Sequence, residues 1–224
     1  MSNYEPGIQT REKILNICKK LFYEKGYDDT TYNDICQEEN INRGLIPYHF
    51  QGKYNIARAI FVNFLVDNNL LVRRLIKEKY GVTKLQYVPA VHLRNYLNLI
   101  FNDEKLKRFY YQISRVTEFT SNYSDILAGF HRQNIETFKL DLTEVDIKFL
   151  MAAVTGMSSS VSVMFLHGYL DVSLEEYIDY RIKLFHRLMN IEKNRIDEII
   201  EESRRIYSGL NIGLRKYFEL YEIK

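Results

Sequence analysis

Between residues 10 and 53 the chain is cut into three short amphipathic segments by two sharp breaks, and that spacing leaves few folds open. Thr10-Arg11-Glu12-Lys13-Ile14-Leu15 opens the first segment, with Ile14, Leu15, Cys18, Leu21 and Phe22 at intervals of three and four. Gly26 ends it, because glycine takes the left-handed geometry that closes a helix without a side-chain clash. Thr31, three residues before Asp34, makes a capping box and starts a second helix over 32–39 with Ile35 and Cys36 inward. Asn40-Ile41-Asn42 predicts the turn. Asn40 tolerates a left-handed backbone, Ile41 plugs the core, and Asn42 caps a third helix beginning at Arg43-Gly44-Leu45. Two short helices across so tight a turn fit a helix-turn-helix, whose second helix enters the DNA major groove.

Four strings then carry a resemblance: Thr-Arg-Glu-Lys-Ile-Leu (10–15), Leu-Phe-Tyr-Glu-Lys-Gly-Tyr (21–27), Thr-Thr-Tyr-Asn-Asp-Ile (30–35) and Tyr-His-Phe-Gln-Gly-Lys-Tyr (48–54). In this order and without gaps they resemble the TetR family of bacterial one-component transcriptional regulators. The resemblance implies an all-α chain, with a three-helix DNA-binding head and a larger helical body for ligand binding and dimerisation. It implies a homodimeric, cytoplasmic repressor that binds a palindromic double-stranded operator and is released by an unknown small-molecule effector. The alternatives are an activator or dual regulator, or a helical sensor dimer that does not read DNA. Carried onto this sequence, Thr31, Tyr48, His49 and Lys53 are expected at phosphates, and Arg43, Leu45 and Ile46 at base edges. Tyr32 and Gly44 complete the expected DNA-binding set. One departure is Pro47, where the family usually has tyrosine. Proline has no amide to donate and clashes with the carbonyl four residues back, so the third helix is expected to be tight, bent or ended early.

Charge does not announce a nucleic-acid partner. The 224-residue chain has a net charge of +2, and residues 1–56 hold seven Lys and Arg against eight Asp and Glu. The composition, 46% hydrophobic with three prolines, is that of a folded, helix-rich protein. Cys18 and Cys36 read as small core residues rather than redox or metal groups. The five histidines lack metal-ligand spacing, and no phosphate loop or nucleophile elbow is present, so no catalytic residue, metal or cofactor is expected. No leader opens the sequence, which argues against secretion. Residues 149–170 carry no Asp, Glu, Lys or Arg and are long enough to raise a membrane span. Thr155, Gly156, Ser158, Ser159, Ser160 and Ser162 interrupt them, which predicts a buried helix and no membrane partner.

Three regions follow: a head over 1–54, a ligand-binding and dimerisation body over 55–190, and a helical extension over 191–224 packed on the body. Ile56, Ile60, Phe61, Phe64, Leu65 and Leu71 make a long linking stripe, and further helices are expected over 83–101, 103–120, 124–140, 143–167 and 173–190. The resemblance makes the last two of these half of a four-helix dimer bundle. Polar tips among apolar groups nominate Tyr110, Tyr111, Ser114, Arg115, Phe130, His131, Met164 and His167 as ligand-binding residues. In the extension, Ile196, Ile199, Ile200, Ile206, Tyr207 and Leu210 predict one helix, and Leu214, Tyr217, Phe218 and Tyr221 a second.

Overall fold

The computed structural model describes residues 4–116, 132 and 134–223, with side chains from residue 7 onward. Helix α1 (Tyr4–Glu24) starts earlier than Thr10, because Pro6 lies in the first turn, where a missing amide costs nothing. Gly26 closes the α1 turn at φ +94°. The Thr31–Asp34 capping box is complete and starts α2 (Tyr32–Glu38), and Asn40 takes the left-handed turn at φ 52°. Asn42 Oδ1 accepts from the Gly44 amide at 2.9 Å ahead of α3 (Leu45–Phe50).

Helix α4 (Lys53–Tyr80) spans both halves of the molecule. The helix expected over 83–101 is divided: a 3-10 turn (Val82–Tyr87) precedes α5 (Val88–Asn102), whose Pro89 sits in the first turn. α6 (Glu104–Ser114) is capped by Asp103 and stops at Ser114, short of the expected residue 120. Of the helix expected over 124–140, residues 134–138 are helical and the rest lies largely outside the described residues. Thr143–Asp146 and Ser173–Glu176 capping boxes start α7 (Glu144–Leu166) and α8 (Leu174–Leu188), and α9 (Lys193–Ser208) follows.

The second helix expected in the extension is instead a hairpin of β1 (Ile212–Arg215) and β2 (Glu219–Glu222). Tyr217 and Phe218 sit at φ 66° and 67°, which no helix accommodates, and Gly213 leaves room for the Tyr221 ring across the pair. Burial of Phe218 against Phe109 (centroids 4.9 Å apart) and Tyr23 (5.9 Å) offsets the strain of that turn. The hairpin thus packs where head and body meet, not on the body alone.

One apolar cluster joins Ile14, Phe22, Ile35, Ile46 and Ile60 of the head and α4 to Ile100 of α5 and Phe109 of α6. The core therefore runs straight across residue 54. A second cluster packs Val72 and Ile76 of α4 with Val91 of α5, Ile178 of α8 and Ile206 of α9.

Candidate nucleic-acid interface and effector cavity

The head presents α3 on its surface, shaped by Pro47. Without a proline amide to close the usual bond, the Leu45 and Ile46 amides reach only three residues back, to the carbonyls of Asn42 and Arg43. The helix is tight and short, as the proline requires, and Gln51 ends it in the left-handed region. This winding sets which side chains face out. Ile46 is fully buried in the head core, so it packs the helix instead of reaching a base edge, a correction to the expectation above. Leu45 is half-buried against that core, and Arg43, Gly44 and Tyr48 are exposed, Tyr48 at 80%. His49 is half-buried with its ring edge-on to Tyr48 at 4.8 Å. Asn42 and Pro47 are also exposed here, although neither is among the residues nominated from sequence.

Thr31, Tyr32, Arg43 and Lys53 line one depression together with Asp28, Thr30 and Asn33. Arg43 stacks over the Tyr32 ring at 5.7 Å, and the Tyr32 hydroxyl accepts from the Lys53 amide at 3.0 Å. The Lys53 side chain turns inward. Its ammonium donates to the Tyr27 and Thr30 carbonyls, both at 2.7 Å, and lies 4.4 Å from the Tyr27 ring centre. Thr31 is occupied as a helix cap. The even charge balance of the head is spatially sorted: Lys13, Lys20 and Lys25 pair with Glu39, Glu38 and Asp34 at 2.7–2.8 Å, placing acids of α2 and its end against α1 and the turn after it.

In the body, a cavity of about 160 Å³ is lined by α4, α5, α6, α7 and α8. Phe61, Leu65, Leu93, Val154 and Phe185 give it apolar walls, and Asn69, His92, Tyr96, Tyr110, Ser114 and Arg181 add polar groups. Of the nominated ligand residues, Tyr110 and Ser114 line it. Tyr111 on α6 and Arg115 just past its end face elsewhere. Tyr111 Oη meets His167 Nε2 at 2.7 Å on the surface, and Arg115 pairs with Asp28 of the head at 2.9 Å. Met164 is exposed on α7. Phe130 and His131 lie outside the described residues.

α6 is the common part of both sites. While Tyr110 and Ser114 face the cavity, Arg108 donates to the Tyr23 and Glu24 carbonyls at 3.0 and 2.8 Å, where a cation also answers the helix dipole. Gln112 Oε1 accepts from the Tyr27 amide at 2.7 Å and lies against Gly26, whose bare Cα leaves it space. Tyr23 donates to Asp103 at 2.7 Å.

Comparison with known proteins decides the family. Residues 14–60 match the model of bacterial regulatory proteins of the tetR family. Over 150 residues the chain is 32% identical to IcaR, the biofilm operon negative transcriptional regulator of Staphylococcus aureus, covering 63% of this chain and 77% of that protein. The chain belongs to the TetR family. It is also 31% identical, over 46% of its own length, to an uncharacterized HTH-type regulator of Lactococcus lactis, of which the match spans about half (49%). The TetR fold is seen throughout. RolR in complex with resorcinol superposes with a TM-score of 0.63 at 16% identity, covering 88% of this chain and 95% of that one. A Streptomyces coelicolor TetR regulator gives 0.50 at 15% identity, covering 90% of this chain and 89% of that one.

In this TetR-family chain the residue that sequence reading missed most completely is Arg181. It sits on the amphipathic α8, where an arginine ordinarily reaches solvent, and tertiary packing alone buries it.

Proposed function

We propose that this chain is a homodimeric transcriptional repressor whose helix-turn-helix head binds a palindromic double-stranded operator and whose cavity takes a small-molecule effector that releases it. The observation that carries the reading is α6, one helix that both walls the cavity through Tyr110 and Ser114 and grips the head through Arg108 and Gln112, with Arg115 just past its end. A ligand that shifts α6 moves the head with it. In a two-fold dimer that changes the separation of the two recognition helices, and coupling of roughly 1–3 kcal/mol is typical of such devices. Negative regulation is supported by the likeness to IcaR.

On the head, Arg43 and Tyr48 are the leading DNA contacts, with Leu45 at a thymine methyl and Thr31, Tyr32, Gly44 and His49 alongside the backbone. Lys53 acts by clamping the Tyr27–Thr30 loop, and Asn42 joins the exposed set. For dimerisation, α7 is the supporting element. Only 28% of its most apolar stretch is buried, so it is not the enclosed helix expected from sequence: Val145, Phe149 (74% exposed), Ala152, Ser160 and Met164 form an outward face. Such a face on a helix long enough to cross a membrane is covered here by the same helix of a second copy, with Tyr180 and Leu188 of α8 beside it.

The test is fluorescence anisotropy with duplex from the protein's own upstream region against scrambled duplex at two salt concentrations, paired with light scattering of Phe149→Glu. Preference for the native duplex and a dimer that dissociates on Phe149→Glu are the expected results. Equal binding to both duplexes that disappears with salt is backbone electrostatics alone and overturns sequence reading at that operator.

A further inference from the structure

Arg181 is 1% exposed and lines the cavity, yet every group it bonds among the described residues is neutral. Nη1 donates to Tyr177 Oη at 2.7 Å, to Ser162 Oγ at 2.9 Å and to the Ser158 carbonyl at 3.4 Å. Nε is buried without a hydrogen-bond partner, and among the described residues no carboxylate pairs with this guanidinium. Ser114 Oγ, on another helix lining the cavity, is also buried and, among the described residues, unpartnered. An enclosed cation is retained where something answers its charge, because desolvation penalises a lone ion heavily. The protein shows that it can supply such an answer: Arg94, 2% exposed, has Asp179 at 2.5 Å.

We propose that the effector cavity is built for a small organic carboxylate, its anionic head on Arg181 with the Ser114 hydroxyl as a further donor, and its apolar body against Phe61, Leu65 and Phe185. This rests on the effector-cavity reading above and adds the class of effector. A guanidinium favours a carboxylate because two of its N–H groups match two oxygens in one plane. The walls are chiefly apolar, which disfavours a bare inorganic anion, and about 160 Å³ suits a single ring, a cavity of roughly 150 Å³ being enough for benzene. Ser162 Oγ bonds both Tyr177 Oη and Tyr110 Oη at 2.8 Å, which steadies the groups that hold the guanidinium.

The experiment is calorimetric titration of the full chain with benzoate and other single-ring carboxylates, each paired with its neutral amide, and with inorganic phosphate. Thermal shift and operator release are read on the same samples. The expected result is that at least one carboxylate binds tenfold or more tighter than its amide, that phosphate does not bind, and that Arg181→Met erases the preference. Circular dichroism establishes that Arg181→Met is folded. Arg181→Lys, which keeps the charge but not the planar fork, retains a reduced preference and covers the case in which the methionine variant is not folded. Amides that bind as well as their acids overturn the carboxylate class while leaving the cavity as an effector site. Binding of neither kind overturns both the class and the effector-cavity reading. A preference that survives in folded Arg181→Met overturns the role of Arg181 alone.

Discussion

Two arginines lie equally deep in this protein, and their surroundings have opposite chemistry. Where α5, α8 and α9 meet, Arg94 is answered by Asp179, which also pairs with Arg204, and by the Ser203 hydroxyl at 3.2–3.3 Å. Where α6, α7 and α8 meet, Arg181 has, among the described residues, only hydroxyls and a carbonyl. The first region closes its electrostatics within the fold. The second leaves an open valence beside a cavity, which is the difference between a charge that holds helices together and one that holds something else.

The sharpest way to break this comparison is Asp179→Asn, which leaves Arg94 enclosed without its anion. Losing one member of a buried pair costs about 3–5 kcal/mol, and urea unfolding should register a loss of that size. If Asp179→Asn is neutral, the distinction between the two regions collapses.

Protons give the next largest effect. His186, packed on α8 with Nδ1 at 2.7 Å from the Ile182 carbonyl, is pushed down to about 4, first by burial and then by the nearby Arg195 charge, against the helping carbonyl. Its folded value is lower than its unfolded value near 6.5, so the unfolded chain binds the proton more readily between these limits. The stability from neutral His186 is fully present above pH 6.5 and is lost as pH falls toward 4, by about 3 kcal/mol in all. Unfolding measured across that window in the native chain and in His186→Phe checks it: the variant should show a flatter profile.

Lys53 extends the comparison to the head, as a cation answered by backbone carbonyls. Lys53→Met should cost about 2 kcal/mol, the scale of hydrogen bonds to a charged group, and weaken operator binding. If Lys53 clamps the loop, the salt dependence of binding keeps its slope. If it touches a phosphate, the slope falls by about 1.

The smallest effect is expected at Arg181 itself. Arg181→Met removes a buried charge that has no anion among the described residues, while Ser162 still bonds both Tyr177 and Tyr110, so stability should move by no more than about 1 kcal/mol in either direction. A loss as large as that of Asp179→Asn would make the two arginines structurally alike.

The head was legible because its punctuation is chemical. Gly26, the Thr31–Asp34 box and Asn40 each require a backbone state that only a few residue types meet, and each falls where expected. Ile46 was misplaced because the turn of α3 follows from the missing Pro47 amide, which periodicity does not encode. On α6, Tyr110 and Ser114 form one i, i+4 stripe, and Tyr111 with the capping Arg115 the next. Which of two adjacent stripes faces a cavity depends on neighbours brought in from α5, α7 and α8. Arg181 reads as a surface residue by type, and only the packed body reveals otherwise. Leu214, Tyr217, Phe218 and Tyr221 fit helical spacing, but the pairing of Gly213 with Tyr221 and the left-handed turn give strands.

That hairpin also bears on the order of assembly. Phe218 belongs to the same apolar cluster as Phe22 and Phe109, so the seam between reading head and body is sealed by residues the ribosome delivers after every helix of the body. During synthesis α1 emerges before the hairpin, so the contacts of Tyr23 and Phe109 with Phe218 form only once that hairpin has been added. Along this chain, the seam between head and body closes only after the helices on both sides of it have been made.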